Sequence, residues 1–318
     1  TDLPQEGRLK GGVDGVEMRL STFPTLHGEK AVVRLFVGSG PLRKLEELQL
    51  PEDVLTSLRR LLSGASGCVL IAGPAGSGKT TTAYAGLREL QRLHGAGKSL
   101  VTLEDPIEAE LPGVAQSQVH RPEEFNYAVG LKSLMRQDPD VILVGEIRDR
   151  ETAETVFQAC LTGHLVLTTF HAGSAAQAVT RLLDLGVEPY LLKAGLRGVL
   201  CQRLLRRLCS CALWAEADAS RPWPDLVRHR QPVGCPDCWH TGYRGRAVIA
   251  ELLVPDEMPG FAAGYQSSPP DDREQLAQHA GLTTLWTRAK ALVDAGITSP
   301  TEVLRVMGLP KSQNLEGP

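Results

Sequence analysis

The segment Gly73-Pro74-Ala75-Gly76-Ser77-Gly78-Lys79-Thr80 has the form G-x-x-x-x-G-K-[ST], and its flanks restrict what can fold around it. The apolar run Cys68-Val69-Leu70-Ile71-Ala72 before it reads as a strand buried on both faces. Thr81-Thr82-Ala83-Tyr84-Ala85-Gly86-Leu87 after it reads as the opening of a helix. Strand, glycine loop and helix in that order are the context in which this motif holds phosphate. The glycines let backbone N–H groups close around β- and γ-phosphates, and the helix N-terminus adds partial positive charge. Lys79 contributes a point charge and Thr80 a hydroxyl ligand for Mg²⁺. The expected nucleotide-binding residues are Gly73, Pro74, Ala75, Gly76, Ser77, Gly78, Lys79, Thr80 and Thr81, with ATP and Mg²⁺ as the ligands they imply.

From 67 to about 199, strand and helix patterns alternate, as a parallel sheet covered on both faces requires. Strands are expected at 68–72, 99–103, 141–144 and 165–169, and helices near 80–93, 125–136, 151–161 and 175–183. Reactive groups in such sheets gather beyond the carboxyl ends of the strands. Each expected strand ends on one: the glycine loop, Glu104-Asp105, Glu146 and His171. Ahead of this core, residues 15–22 and 30–36 alternate with period two around a turn at 24–28. Two strands bury no core of their own, so 1–38 reads as part of a larger β-rich domain, joined by a linker at 39–50 to a core at 51–200. A basic, cysteine-bearing region at 201–250 and a helical region at 251–318 follow, with the clearest helices at 271–279 and 282–295. Nucleotide chemistry places the chain in the cytosol, and a sequence that begins at Thr1 reads as an excised fragment.

Several constellations carry chemistry. Glu104-Asp105-Pro106-Ile107-Glu108 closes the second core strand with carboxylates able to orient water or hold a hydrated Mg²⁺. In Val141-Ile142-Leu143-Val144-Gly145-Glu146, Gly145 stands where most P-loop enzymes place the Mg²⁺-linked Asp. Magnesium then depends on Thr80, Glu146 and the 104–108 carboxylates, Asp105 among them. His164 and His171 bracket one strand, and His171 is the candidate γ-phosphate sensor. Arg19 and Arg34 lie on β-segments outside the core and matter only if that domain meets a nucleotide, since arginine pairs phosphate bidentately. Cys209-x-Cys211 and Cys235-x-x-Cys238 form either a four-thiolate Zn²⁺ site or a degenerate, metal-free version, the first pair being one residue short. The stretch 212–234 between them looks poorly ordered. Cys68, Cys160 and Cys201 read as core residues. Arg203, Arg206 and Arg207 read as a basic face on a helix, a solvated surface or subunit contact. A P-loop helicase would need a basic channel or an aromatic stacking platform; with a net charge of −3 and 5% aromatic residues, nucleic acid is not expected as a partner. No apolar run reaches the roughly 18 residues a membrane helix needs.

Together, GPAGSGKTTT (73–82), TLEDPIE (102–108), RQDPDVILVGEIRD (136–149), TGHLVLTTFHAGSA (162–175), QRLLRRLC (202–209), GCPDC with TGYRGR (234–246) and GITSPTEVLRVMG (296–308) resemble the secretion-type ATPases that power type II secretion and type IV pilus assembly. The resemblance runs from about Arg8 to Met307. It implies an α/β fold: a RecA-type P-loop ATPase core, part of a PAS-like N-terminal domain, and a C-terminal cysteine-containing and helical region. It also implies a homo-hexamer in the cytoplasm, attached peripherally to the inner membrane through platform and anchoring proteins. Arg19 and Arg34 match family arginines that reach the nucleotide phosphates. Glu104, Asp105 and Glu108 match the acidic box, with Glu108 the candidate general base. The four-cysteine region is typical of secretion and pilus-extension members and absent from retraction ATPases. It implies a polymerising motor for pseudopilus assembly and protein export, with pilus extension as the alternative client.

Overall fold

A computed structural model describes residues 3–9, 16–37, 42–120, 124–216, 223, 226–265 and 267–309. The start of the expected linker (39–41), part of 212–234 and the last residues of the expected C-terminal region (310–318) lie outside the described residues. The chain divides into two compact units, Thr1–Arg43 and Lys44–Pro318.

In the first unit, β1 (Gln5–Leu9), β2 (Val16–Thr25) and β3 (Gly28–Val37) form an antiparallel sheet in that order. The β2–β3 turn is tighter than expected: Thr25 pairs with Gly28, so only Leu26 and His27 turn the chain, and Pro24 stays within the strand. Gly28, at φ +119°, supplies a conformation that other residues rarely adopt. Arg19 is the register partner of both Arg34 and Arg8, which places three arginines in one cross-strand row.

The second unit opens with α1 (Glu52–Leu62), which lays Val54, Leu55, Leu58 and Leu62 into the core. Alternation follows: β4 (Gly67–Ala72), α2 (Lys79–His94), β5 (Leu100–Glu104), β6 (Ala115–Gln118), α3 (Tyr127–Leu134), β7 (Val141–Val144), α4 (Arg150–Leu161), β8 (Leu165–Phe170), α5 (Ala175–Asp184) and α6 (Pro189–Gly195). The chain then runs through β9 (Leu196–Leu208), a short hairpin of β10 (Leu213–Glu216) and β11 (Arg228–Gln231), and β12 (Tyr243–Leu253). It ends on α7 (Pro259–Gly264), α8 (Arg273–His279), α9 (Leu285–Asp294) and α10 (Pro300–Met307).

The main sheet has seven strands in the order β12-β9-β4-β8-β7-β5-β6, parallel except for β12 against β9. Its central strands β4, β5, β7 and β8 are buried along their whole length, which is why they read as continuous apolar runs. The core expectations hold to within two residues at most strand and helix ends. Cys68, Cys160 and Cys201 are buried in the core, as expected.

Two expectations are corrected. Arg203, Arg206 and Arg207 are not on a helix; they lie on β9, a central strand paired with β4 on one side and β12 on the other. β9 is almost wholly buried from Leu196 to Gln202 and mostly half-buried from Arg203 on, and the doublets Leu204-Leu205 and Arg206-Arg207, which break the period-two pattern, lie in that second half. The sheet therefore runs straight through residue 200. Within 212–234, the arms β10 and β11 pair in register, Leu213 with Gln231 and Glu216 with Arg228, instead of lying unordered.

Candidate nucleotide site and cysteine cluster

The glycine loop joins β4 to α2, with Gly73, Gly76 and Gly78 at φ +149°, +73° and +90°. Packing fixes two of these. A Cβ on Gly73 would stand 2.6 Å from the Gln202 carbonyl oxygen, and one on Gly78 would stand 3.1 Å from Gln202 Nε2. The helix begins on Gly78 with no side-chain cap, whereas α3, α4, α5, α9 and α10 are capped by Asn126, Asp149, Ser174, Thr284 and Ser299. Its first N–H groups are left to whatever anion occupies the loop. Lys79 is nearly buried, and its ammonium donates to the Gly73 and Pro74 carbonyls at 3.0 and 2.9 Å. Burial lowers its pKa, and Glu146 works against that shift. The Ser77 hydroxyl is buried against Gly73 without a hydrogen-bond partner among the described residues.

The other carboxyl-end residues gather beside it. Glu146 accepts from Arg148 and lies 3.6 Å from His171 Nε2, while Arg148 Nη1 donates to Asp105 at 3.1 Å. The Arg148 guanidinium thus sits between the two carboxylates expected to serve a cation. Burial, then Lys79, lowers the His171 pKa and favours the neutral imidazole, while Glu146 opposes them. The guanidinium of Arg181 donates to the His171 carbonyl and lies over the Phe170 ring at 5.4 Å. His164, at the opposite end of β8, bonds the Ala159 carbonyl at 2.9 Å and is remote from this group.

The acidic box separates by environment. Glu104 is 3% exposed, and its oxygens accept from Tyr84 (2.5 Å), Thr102 (2.6 Å) and Gln116 (3.2 Å). Asp105 and Glu108 are exposed, and the Tyr84 hydroxyl receives the Glu108 N–H at 3.2 Å. Gly145 now has a reason: a Cβ there would meet the Tyr127 hydroxyl at 2.7 Å and the Glu104 Cα at 3.3 Å. No aspartate fits that position.

On the outer side of the loop, a cavity of about 680 Å³ is lined by Pro74, Ser77, Arg203, Arg206, Tyr243 and Arg305 among others. Arg206 lies over Tyr243 at 4.1 Å and shares the fully buried Glu302 with Arg305. Arg203 donates to the Gly173 carbonyl at 2.9 Å, and Arg207 to Gln49 at 3.2 Å. The three arginines therefore serve different partners and do not form one solvated face. Sequence reading missed Tyr84, Tyr127, Arg181 and Gln202, whose roles depend on neighbours from distant elements. Arg148 stood two residues from Glu146 and was the one with a local signal.

Cys209, Cys211, Cys235 and Cys238 bring their sulfurs within 4.8 Å of one another. Neighbouring sulfurs lie at 3.7–3.9 Å, close to the ~3.8 Å edge of a tetrahedron whose centre is ~2.3 Å from each thiolate, as in zinc sites. The N–H groups of Cys235 and Gly242 donate to Cys238 Sγ at 3.1 and 3.2 Å, which favours the thiolate. The short C-x-C spacing does not keep either sulfur out. In the first unit, Arg34 is exposed on β3 opposite Arg19 on β2.

A phosphate loop between a buried parallel strand and an uncapped helix, with Glu146 and His171 at the ends of neighbouring strands, defines a P-loop nucleotide-binding protein. Solved structures agree on the fold: a pilus retraction motor, PilT with bound ADP, matches over 98% of this chain and 79% of that one (TM-score 0.69, 24% identity). The ATPase DotB of Legionella pneumophila matches over 97% of this chain and 78% of its own, with a TM-score of 0.67 and 22% identity. The family model described as "Type II/IV secretion system protein" matches residues 1–305, and the chain belongs to that family. Among curated relatives, the type II secretion system protein HxcR of Pseudomonas aeruginosa is 44% identical over 96% of this chain. The type II secretion system ATPase E of Vibrio cholerae is 42% identical over 96% of it. The type IV pilus assembly ATPase PilB of Thermus thermophilus is 42% identical over 95% of this chain and 35% of its own length. The chain spans 62% of HxcR and 61% of the Vibrio protein.

Proposed function

We propose that this chain is the motor portion of an ATP hydrolase that drives pseudopilus assembly and protein export in type II secretion. The observation that carries the reading is the loop itself: an uncapped helix N-terminus and a nearly buried Lys79 whose ammonium binds the Gly73 and Pro74 carbonyls belong to one glycine loop. The loop holds the β- and γ-phosphates of ATP, and the cavity beyond Pro74 and Ser77 receives the nucleoside. Thr80, Glu146 and Asp105 offer hard oxygen donors suited to Mg²⁺, which when bound neutralises phosphate charge. Glu108 is the general base for the attacking water, a role that rests on the family resemblance and on its exposure, where Glu104 is buried. Neutral His171 reports on the γ-phosphate. Arg19 and Arg34 add charge to the phosphates in a homo-hexamer, a role that rests on the family resemblance. The four cysteines hold a structural Zn²⁺, consistent with four sulfurs within 4.8 Å of one another. The motor works in the cytoplasm and reaches the inner membrane through platform and anchoring proteins. No helix among the described residues is long and apolar enough to cross a membrane.

The PilB relative favours pilus extension as the second reading, the same chemistry with another client. The test is ATPase rate against protein concentration for wild type, Lys79→Ala, Arg19→Ala and Arg34→Ala. Specific activity should rise with concentration, Lys79→Ala should not bind ATP, and each arginine variant should lose roughly tenfold or more in kcat. Lys79→Ala binding ATP within a few-fold of wild type would remove the nucleotide site. Wild-type rates in both arginine variants would remove the hexameric mechanism.

A further inference from the structure

Gln202 is a buried polar residue on β9, 2% exposed, that none of the proposed chemistry uses. Its amide makes two hydrogen bonds to the phosphate loop and the helix that follows. Nε2 donates to the Ser77 carbonyl at 2.7 Å, and Oε1 accepts from the Thr82 hydroxyl at 2.9 Å. A carbonyl only accepts, so the amide orientation is settled by chemistry: the nitrogen faces Ser77 and the Thr82 hydroxyl must donate.

We infer that Gln202 is a positioning residue for nucleotide binding, a latch that fixes the orientation of the Ser77–Gly78 peptide so that its N–H faces the phosphate. A trans peptide is planar, with C=O and N–H on opposite sides. Drawing the Ser77 oxygen toward β9 therefore turns the Gly78 N–H to the other side, into the loop. Without the latch this peptide is free to turn over, because Gly78 sits at φ +90° and glycine crosses between signs of φ at little cost. The close fit of β9 beneath Gly73 and Gly78 supports the assignment, since a single added carbon on either would run into Gln202. Thr82, in the first turn of α2, holds the other half of the amide and keeps it from flipping.

A buried glutamine satisfying its own hydrogen bonds can also be simple packing, and the two roles separate by measurement. The latch rests on the nucleotide-site reading, so wild type is measured first with a fluorescent ATP analogue and Mg²⁺; a wild-type chain that binds none ends both. Gln202→Met keeps length and removes both bonds. It should raise the nucleotide Kd by about tenfold, the scale of one lost buried hydrogen bond, and raise KM more than it lowers kcat at saturation. Thr82→Val should raise Kd by a smaller factor, ~3-fold, and Thr82→Ser should restore it. If Gln202→Met does not fold, the Thr82 pair alone decides. A Gln202→Met Kd within twofold of wild type, or a lowered melting temperature with affinity intact, would make Gln202 packing and overturn the latch, as would equal Kd values in Thr82→Val and Thr82→Ser.

Discussion

The glycine at position 145 lends itself to a quantitative test, because space alone forbids a side chain there. Its φ is not in the left-handed region, so alanine carries no backbone penalty. A methyl group would nevertheless stand 2.7 Å from the Tyr127 hydroxyl oxygen, well inside a normal carbon–oxygen contact, and 3.3 Å from both the Glu104 Cα and the Leu103 carbonyl oxygen. Tyr127 is 5% exposed at the start of α3 and cannot swing into solvent. Overpacking of this kind costs roughly 1–3 kcal/mol, which for a unit of this size lowers the melting temperature by roughly 2–12 °C. Gly145→Ala should melt in that range below wild type by scanning calorimetry. Adding Tyr127→Phe removes the oxygen at 2.7 Å but leaves the two backbone contacts, so the double variant should recover at least half of the loss. Gly145→Asp should fall further, because its carboxylate would be desolvated beside Glu104 and Glu146. A Gly145→Ala melting temperature within ~1 °C of wild type, or strictly additive effects of the two changes, would refute the steric account of why no acid stands there.

Two further outcomes follow from the cysteine cluster and from Glu302. Elemental analysis should find about one Zn per chain, lost in Cys235→Ser, and a metal-free, folded, fully active chain would retire the site. Burial alone would raise the Glu302 carboxyl, but bonds from Arg305 and Arg206 outweigh it and hold it at about 2, below its ordinary 4.5. A depressed pKa means this stability is present above pH 4.5 and lost as pH falls toward 2. Glu302→Gln should accordingly lower the melting temperature at pH 7 and flatten its fall on the acid side; an unchanged acid slope would sink the assignment.

The sequence made the phosphate loop legible because its chemistry is local: strand, glycines, Lys79 and helix follow one another without a break. The buried strands were equally plain, since parallel strands covered on both faces appear as short apolar runs. What stayed hidden was assembled across distance. Glu104 and Glu108 look alike in the acidic box, and only Tyr84, Thr102 and Gln116, from α2, β5 and β6, set their environments apart. Gly145 was visible as a departure, but its cause lay in Tyr127 on another element. The second half of β9 reads as a helix in sequence because its Leu-Leu and Arg-Arg doublets lack period two. Only the strand brings Arg203, Arg206 and Gln202 beside the phosphate loop.

β9 also explains why a cysteine cluster stands where it does. The β10–β11 hairpin is two-stranded, and a hairpin of that kind is marginal in water by itself. The strand leaves the sheet at Leu208, whose N–H donates to the Ile297 carbonyl, and the next residue, Cys209, donates to Gly242. Cys209 and Cys211 thus lie at the exit of β9, and Cys235 and Cys238 lie just before the entry of β12, its antiparallel neighbour. A metal held by the four thiolates at that point would close the loop holding the hairpin and pin both strand ends. It does so about six residues, or ~20 Å of extended strand, from Gln202. The same strand is gripped by Glu302 at Arg206 and by Thr298 at the Arg206 carbonyl. Phosphate loop, cysteine module and C-terminal helices are therefore each tied by hydrogen bonds to β9 or to the residue that follows it.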